Sequence, residues 1–516
     1  MFAQVIRHTD QQRESTIKPT AIARGGTFAL LGLVGGALLQ YAANIWFARL
    51  YGAGATGLFA FSFNIVSVIA ILGQLGFQET LLRYVAAYRG AHEGKLLRSV
   101  LIFSLAFGSA GSILFALLTF TSTDTIARWS DKADVRMILS LLSWTIPFWA
   151  LISLLGSALQ GNKQMAKAAF SREIGRPLAL IIALGVAWFL KLPISGLLTY
   201  YIASLFLLSL ISLFIVKQSF LELSQHSGSL FFRWEWVSFA FPVMLLDVFR
   251  STTGRIDTLL LGFLGSSEET GIYFAASRTA LIITMMLAAF NAILSPIAAD
   301  LWHKQDKAEL DRTFKVITRW TCLVTLPVTI TALITRHEIM AMYGEKFEAG
   351  GIVLLIMLIG ATINAVTGGV GRLLMMTGHQ KLELYNSIGA VMIQTVGTAL
   401  LVPSLGMVGA AIVDAGVLIG MNVLKLFQVK HFIGIQPYER SYIKLIIATL
   451  LAYSLGYWVY SYFADFPQLF VIALTLIVVM VIYLLTLLLF GIEKEERALL
   501  AQGKANFLRK FHITKG

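Results

Sequence analysis

The amino-acid sequence predicts an all-α integral membrane protein of about 14 transmembrane helices: two six-helix parallel repeats and two further helices at the C-terminal end. Three observations carry this. Hydrophobic residues fill 57% of the 516 positions and charged ones only 13%, against about a quarter charged in a soluble domain. Runs of roughly 20 apolar residues, the length that crosses a bilayer, recur through the chain. Between the runs, lysine and arginine alternate between rich and poor segments, as they do in a membrane protein of fixed topology.

The runs lie near 26–48, 58–77, 98–120, 136–158, 170–190, 194–217, 237–265, 272–298, 315–335, 351–371, 383–403, 407–430, 442–463 and 468–490. An even number places both termini on one side. Assigned to alternate sides, 31 of the 41 basic residues fall with the termini and 7 opposite, leaving Arg250, Arg255 and Arg278 inside the membrane. The positive-inside rule makes both termini cytoplasmic. Residues 1–25 form a polar, basic tail that is too long and mixed for a signal-peptide n-region, and it is expected to be retained.

Internal similarity sets the architecture. Gly57 in GLFAFSFNIVSVIAIL aligns with Gly271 in GIYFAASRTALIITMM; LQGNKQ, ending at Gln164, aligns with MTGHQK, ending at Lys381; Gly196 in ISGLLTYYIAS aligns with Gly409 in MVGAAIVDAG. The offsets of 214, 217 and 213 residues are nearly one number. A unit of six spans is even, so both copies enter the membrane in the same direction, as parallel repeats. The expected division is an N-terminal lobe at 26–217, a cytoplasmic linker at 218–236 and a C-terminal lobe at 237–432. Extra spans at 442–490 and a cytoplasmic tail at 491–516 complete it.

Several functions are excluded on chemistry. The single cysteine, Cys322, lies in an apolar run and builds neither a disulfide nor a thiolate metal site. Neither a metal nor a cofactor is expected. The net charge of +13 belongs to the cytoplasmic loops, and no nucleic acid is expected as a partner. There is no GxxxxGK[ST] phosphate loop, and Gly368-Gly369-Val370-Gly371 reads as close helix packing. The longest outer segments, 121–135 and 336–350, are 15 residues each. That is too short to carry the catalytic groups of a membrane polymerase or ligase, so no enzyme is expected.

The run at 237–265 holds Asp247, Arg250, Arg255 and Asp257. On a continuous helix with Asp247 at zero, the other three fall at about −60°, +80° and −80°, all on one half of the circumference. A charge at the bilayer centre costs about 2.5–3.5 kcal/mol on insertion scales, so these groups face protein or a water-filled cavity. The next run adds Arg278. Two readings stay open: ion pairs that pin one helix to another, or a net positive face for an anionic ligand. Three arginines against two aspartates favour the second, because guanidinium stays ionised and grips phosphate bidentately. Thr252, Thr253 and Gly254 are placed to loosen the helix at this point.

Further candidates complete the set. Asp414, in GAAIVDAGVLIG, is an intramembrane acid that either titrates or binds a cation during transport, or packs with its hydrogen bonds satisfied; Asp257 shares the coupling role. Gln40 and Asn44 occupy one face of the first run at i, i+4 spacing, and either line the same cavity or bind a neighbouring helix. Arg83, in QETLLRYVAAYRGAHEGKLLRS, either lies on an interfacial amphipathic helix or meets a substrate phosphate at the cavity mouth. Pro147, Pro177, Pro242, Pro296 and Pro327 mark expected kinks.

The stretches FARLYGAGATGLFAF, LGQLGFQETLLRYVA, FPVMLLDVFRSTTGRIDTLLLGFLGSSEETGIYFAASR, SPIAADLW and FGIEKEERALL resemble the polysaccharide-export branch of the multidrug/oligosaccharidyl-lipid/polysaccharide (MOP) superfamily, which includes Wzx-type oligosaccharide flippases. The resemblance implies a V-shaped pair of six-helix lobes around a central cavity. It also implies alternating access that carries a polyprenyl-pyrophosphate-linked oligosaccharide, such as an O-antigen, capsule or exopolysaccharide unit, across the cytoplasmic (inner) membrane. Arg255 and Asp257 match the family's Arg-x-Asp position, and Tyr273 with Arg278 its Tyr-x-x-x-x-Arg position. The implied partners are the lipid-linked oligosaccharide, membrane lipids, a polysaccharide polymerase and a chain-length regulator. A cation-coupled drug antiporter of the MATE type and a lipid II flippase are the alternatives. The spans beyond twelve are shared with lipid II flippases, but the arginines those proteins place within their early spans are replaced here by Arg24 and Arg49 at the ends of the first run.

Overall fold

The computed structural model describes residues 19–221 and 229–490, with side chains from residue 32 onward except at 253. Most of the N-terminal tail, part of the 218–236 linker and the 491–516 tail lie outside the described residues. The described chain is helical nearly throughout, as hydrocarbon requires when no water is available to satisfy backbone N–H and C=O groups. Ten helices among the described residues are long and apolar enough to cross a membrane.

The expected spans differ from these ten at four places, each for a local physical reason. Gly52, at φ 78° and ψ 179°, is non-helical and joins two helices across a kink within Pro19–Gly73. Gly406, at φ 56°, does the same inside Gln380–Gln428. Both sit in the left-handed region that glycine enters without a Cβ penalty. The 170–190 run opens with a π-turn, Phe170–Ile174, before the short helix Gly175–Phe189. The 237–265 run breaks into Trp234–Thr253 and Ile256–Leu264, with Gly254 and Arg255 between them. A single helical wheel across Asp247 to Asp257 therefore does not describe the protein. Pro242, Pro296 and Pro327 lie inside helices. Pro147 stands in the first turn of Thr145–Gly161, and Pro177 directly after the π-turn that opens the 170–190 run.

Contacts divide the chain into two units. The first comprises Met1–Ala43 and Ser62–Thr252; the second, Asn44–Phe61 and Thr253–Gly516. The first unit closes around Phe77, Leu81, Val85, Leu154, Leu159 and Trp236. Trp236, fully buried, satisfies its indole by donating to the Tyr88 hydroxyl at 3.0 Å, the usual requirement for a buried tryptophan.

In the second unit one core gathers Leu294, Phe314, Leu373 and Val429. Another gathers Cys322, Ile330, Leu445, Ala448, Val479 and Tyr483, and so packs the last two helices, Tyr442–Phe463 and Gln468–Leu489, on Lys307–Ile334. Threonines in Lys307–Ile334 spend their hydroxyls on carbonyls one turn back: Thr321 on Ile317, Thr325 on Thr321, Thr331 on Pro327. Polar residues inside an apolar helix are thereby satisfied without water. Gly57 and Gly271 meet directly: a Cβ on Gly57 would strike the Ser267 carbonyl and crowd the Gly271 nitrogen. The outward sides of the last two helices carry exposed Leu450, Trp458, Leu469, Ile477 and Leu489, which suits lipid.

Candidate functional site

In the second unit the break at Gly254 starts a new helix at Ile256, and Asp257 falls in its first turn. A carboxylate there meets the positive end of the helix dipole. It accepts from the Tyr273 hydroxyl at 2.5 Å and from the backbone N–H of Thr258. Tyr273 itself is fully buried on Ser267–His303. Asp257 is therefore held by neutral donors and the helix end.

Arg278 lies on the same helix as Tyr273 and is half-buried. Its guanidinium lies over the Phe274 ring, 4.7 Å from the centroid, and its Nε is buried with no acceptor. Among the described residues no ion pair within 4 Å joins Arg278 to Asp257. Arg255, Asp257 and Tyr343 are nonetheless within its electrostatic range. Asp414, on the helix that turns at Gly406, is half-buried and faces Asp257 electrostatically. The second unit thus brings together four of the sequence candidates, Arg255, Asp257, Arg278 and Asp414, and adds Tyr273 as the group that holds Asp257.

The remaining candidates are not shown against these four, although Asn44 belongs to the same unit. Asp247 and Arg250 belong to the first unit; Asp247 is half-buried, Arg250 exposed, and no ion pair within 4 Å joins them among the described residues. Both lie within electrostatic range of Glu79. Arg83 is exposed, with its guanidinium 4.5 Å from the Phe239 ring centroid and 5.5 Å from that of Tyr84. Gln40 is half-buried and Asn44 buried, and both are engaged by neighbours.

Sequence reasoning counted Arg172 and Arg176 among the basic residues on the side of the termini. They stand at the start of the 170–190 run, where Arg176 donates through Nη2 to the Trp149 carbonyl at 3.2 Å and to the Ser153 hydroxyl. The signal was present as two arginines one turn apart in SREIGRP, just before Pro177. Among the described residues no group of three His, Cys, Asp or Glu side chains is placed to hold a metal ion.

A family model described as polysaccharide biosynthesis protein matches residues 22–302, more than half of the chain. The chain belongs to this family. The match includes the whole block from Asp247 to Arg278. A probable low-salt glycan biosynthesis flippase, Agl15 of Haloferax volcanii, is 22% identical over 424 residues, covering 80% of this chain and 85% of the relative.

Among solved structures, the lipid II flippase MurJ in an inward closed conformation aligns at a TM-score of 0.68 and 14% identity, over 88% of this chain and 97% of that one. A multidrug resistance MATE family transporter of the MOP superfamily, in its inward-facing conformation, aligns at 0.64 and 13% identity, over 79% of this chain and 98% of that one. These likenesses establish the fold: the family member described here is a multi-pass membrane protein with the helical fold of MOP-superfamily transporters.

Proposed function

We propose that this protein is a flippase that moves a polyprenyl-pyrophosphate-linked oligosaccharide across the cytoplasmic membrane by alternating access. The observation that carries the reading is Arg278, a cation on an apolar helix whose guanidinium, among the described residues, lies on Phe274 with no ion pair within 4 Å, while the nearby Asp257 is satisfied by Tyr273 and backbone. An arginine with a merely structural role would pair with that carboxylate, because a buried cation without an anion costs several kcal/mol. Left unpaired, it is ready for a phosphate.

In this reading Arg255 and Arg278 hold the pyrophosphate from the second unit, with Arg250, Arg83, Gln40 and Asn44 contacting other parts of the substrate. Asp257 and Asp414 are the acids that couple an ion to the cycle. Family membership and a relative described as a glycan biosynthesis flippase support the substrate class. Both termini lie on the cytoplasmic side, and a polymerase and chain-length regulator act on what is delivered.

Mass spectrometry of lipid extracts from cells with and without the gene tests this. Accumulated polyprenyl-pyrophosphate oligosaccharide together with loss of a surface polymer is the expected result. Unchanged lipid-linked sugars would overturn it. The facing carboxylates Asp257 and Asp414 are what a cation-coupled antiporter would need, so dye efflux that depends on the gene is the signature of that second reading.

A further inference from the structure

We propose that the first unit holds an anion site of its own, built from Arg172 and Arg176, whose ligand is a phosphate or diphosphate group carried on a lipid. Arg176 lies on the Trp149 ring, 5.5 Å from its centroid. One of its nitrogens, Nη2, is shared between the Trp149 carbonyl and the Ser153 hydroxyl. Its Nε is buried with no acceptor, and among the described residues no carboxylate lies within 4 Å of it. A guanidinium offers five N–H donors, so most of this group's donor capacity is unspent while part of the side chain remains accessible.

Arg172 stands four residues earlier, one turn away on the same face. It donates to Gln160 Oε1 at 3.1 Å and makes only a long contact of 3.8 Å with Glu173. Glu79 also lies within its electrostatic range. The turn that joins the two arginines is the π-turn Phe170–Ile174, a distortion that occurs often at functional sites. Opposite it, Gly156 makes room for the Arg172 stem, since a Cβ there would overlap the arginine's Cγ and Cδ. The local structure is therefore shaped to admit Arg172, and among the described residues the only carboxylate within 4 Å of either guanidinium is Glu173, at a long 3.8 Å from Arg172.

Fork-shaped donors spaced in this way match the paired oxygens of a diphosphate. That this diphosphate belongs to the lipid being moved rests on the flippase reading above; that the first unit binds the anion does not.

The test uses full-length protein in detergent, with Trp149 as an internal reporter. Fluorescence quenching is titrated with farnesyl diphosphate, inorganic pyrophosphate and phosphatidylglycerol, and the part lost in Trp149→Phe is assigned to this site. Farnesyl diphosphate should give a saturable signal that Arg176→Gln weakens at least about tenfold and Arg176→Lys less, while Arg278→Gln leaves it in place. Inorganic pyrophosphate should bind more weakly than the lipid ester, and phosphatidylglycerol, a monophosphate, more weakly still.

An equal response to all three ligands would mean a general anionic surface and overturn the proposal. So would a Trp149 signal that is unchanged in both Arg176→Gln and the double variant Arg172→Gln/Arg176→Gln. Calorimetry on the same samples separates the two ideas: binding lost in Arg278→Gln but kept in Arg176→Gln sinks this site and spares the flippase reading. If neither farnesyl diphosphate nor pyrophosphate binds wild-type protein, both fail.

Discussion

Each unit contains a part-buried arginine laid on an aromatic ring with its Nε unsatisfied among the described residues: Arg176 on Trp149 in the first, Arg278 on Phe274 in the second. Their surroundings differ. Arg278 has Asp257 within its electrostatic range, and Asp257 is occupied by Tyr273 and by a helix N-terminus, with Asp414 facing it in turn. Arg176 has a second arginine, the Trp149 carbonyl, the Ser153 hydroxyl and, within electrostatic range, Glu173. The lesson is that an acid close to an arginine does not make an ion pair when neutral donors reach the acid first. The second unit can therefore hold an anion-binding cation beside a carboxylate that neutral donors satisfy; in the first, Glu173 and Glu79 lie within electrostatic range of the arginines, with only the long Arg172–Glu173 contact inside 4 Å among the described residues.

The sharpest way to break the comparison is charge reversal. Arg278→Glu, and equally Arg255→Glu, should reduce polymer export by at least about 100-fold, since each lost charge-assisted hydrogen bond is worth about 1.5–3 kcal/mol and the new charge repels phosphate. Arg176→Glu should cost about tenfold, because Arg172 remains beside it. Surface-polymer yield, normalised to the amount of protein in the membrane, reads both. Normal export from Arg278→Glu would end the assignment of that residue, and equal losses at all three positions would erase the distinction between the units.

A smaller effect is expected from Tyr273→Phe. It deletes one donor, worth about 0.5–1.5 kcal/mol, and leaves Asp257 to seek a new partner in Arg278. Export should fall several-fold, and Asp257→Asn added to Tyr273→Phe should restore part of it by freeing the arginine. If the double variant is worse than Tyr273→Phe alone, Asp257 acts in its own right rather than through Arg278.

These contrasts mark what was readable in the sequence. Membrane character, helical class and the importance of RIDTLLLG followed from composition, run length and the cost of charge in hydrocarbon, all of which are local. The break at Gly254 was partly legible, as three weak helix formers in a row; its consequence was not. Splitting the run assigns Asp247 and Arg250 to one unit and Arg255 and Asp257 to the other, and a helical wheel cannot see that.

The Tyr273–Asp257 bond and the Arg176–Trp149 contact join residues 16 and 27 positions apart on different helices, beyond any periodicity. Arg176 was hidden for another reason. Counting basic residues by loop assigns an arginine at the edge of a run to a side, and says nothing of the ring and hydroxyl that the fold sets against it.

The smallest expected effect concerns Glu79, on the helix Phe77–Gly90 outside the apolar runs. Burial pushes its carboxyl above the ordinary glutamate range and Asp247 adds to this, while Arg172 and Arg250 pull it back down without prevailing. The folded state therefore holds the Glu79 proton more tightly than the unfolded chain does. Linkage then fixes the sign: stability from this group is present below the ordinary glutamate pKa, about 4.3, and is lost as pH rises through the raised folded value. Glu79→Gln should melt at a higher temperature than wild type at pH 7, and the gap should shrink on acidification. A gap that widened toward low pH would mean that Glu79 is held as a carboxylate by Arg172. In that case the first unit's arginines would be neutralised from within, and their likeness to Arg278 would be only geometric.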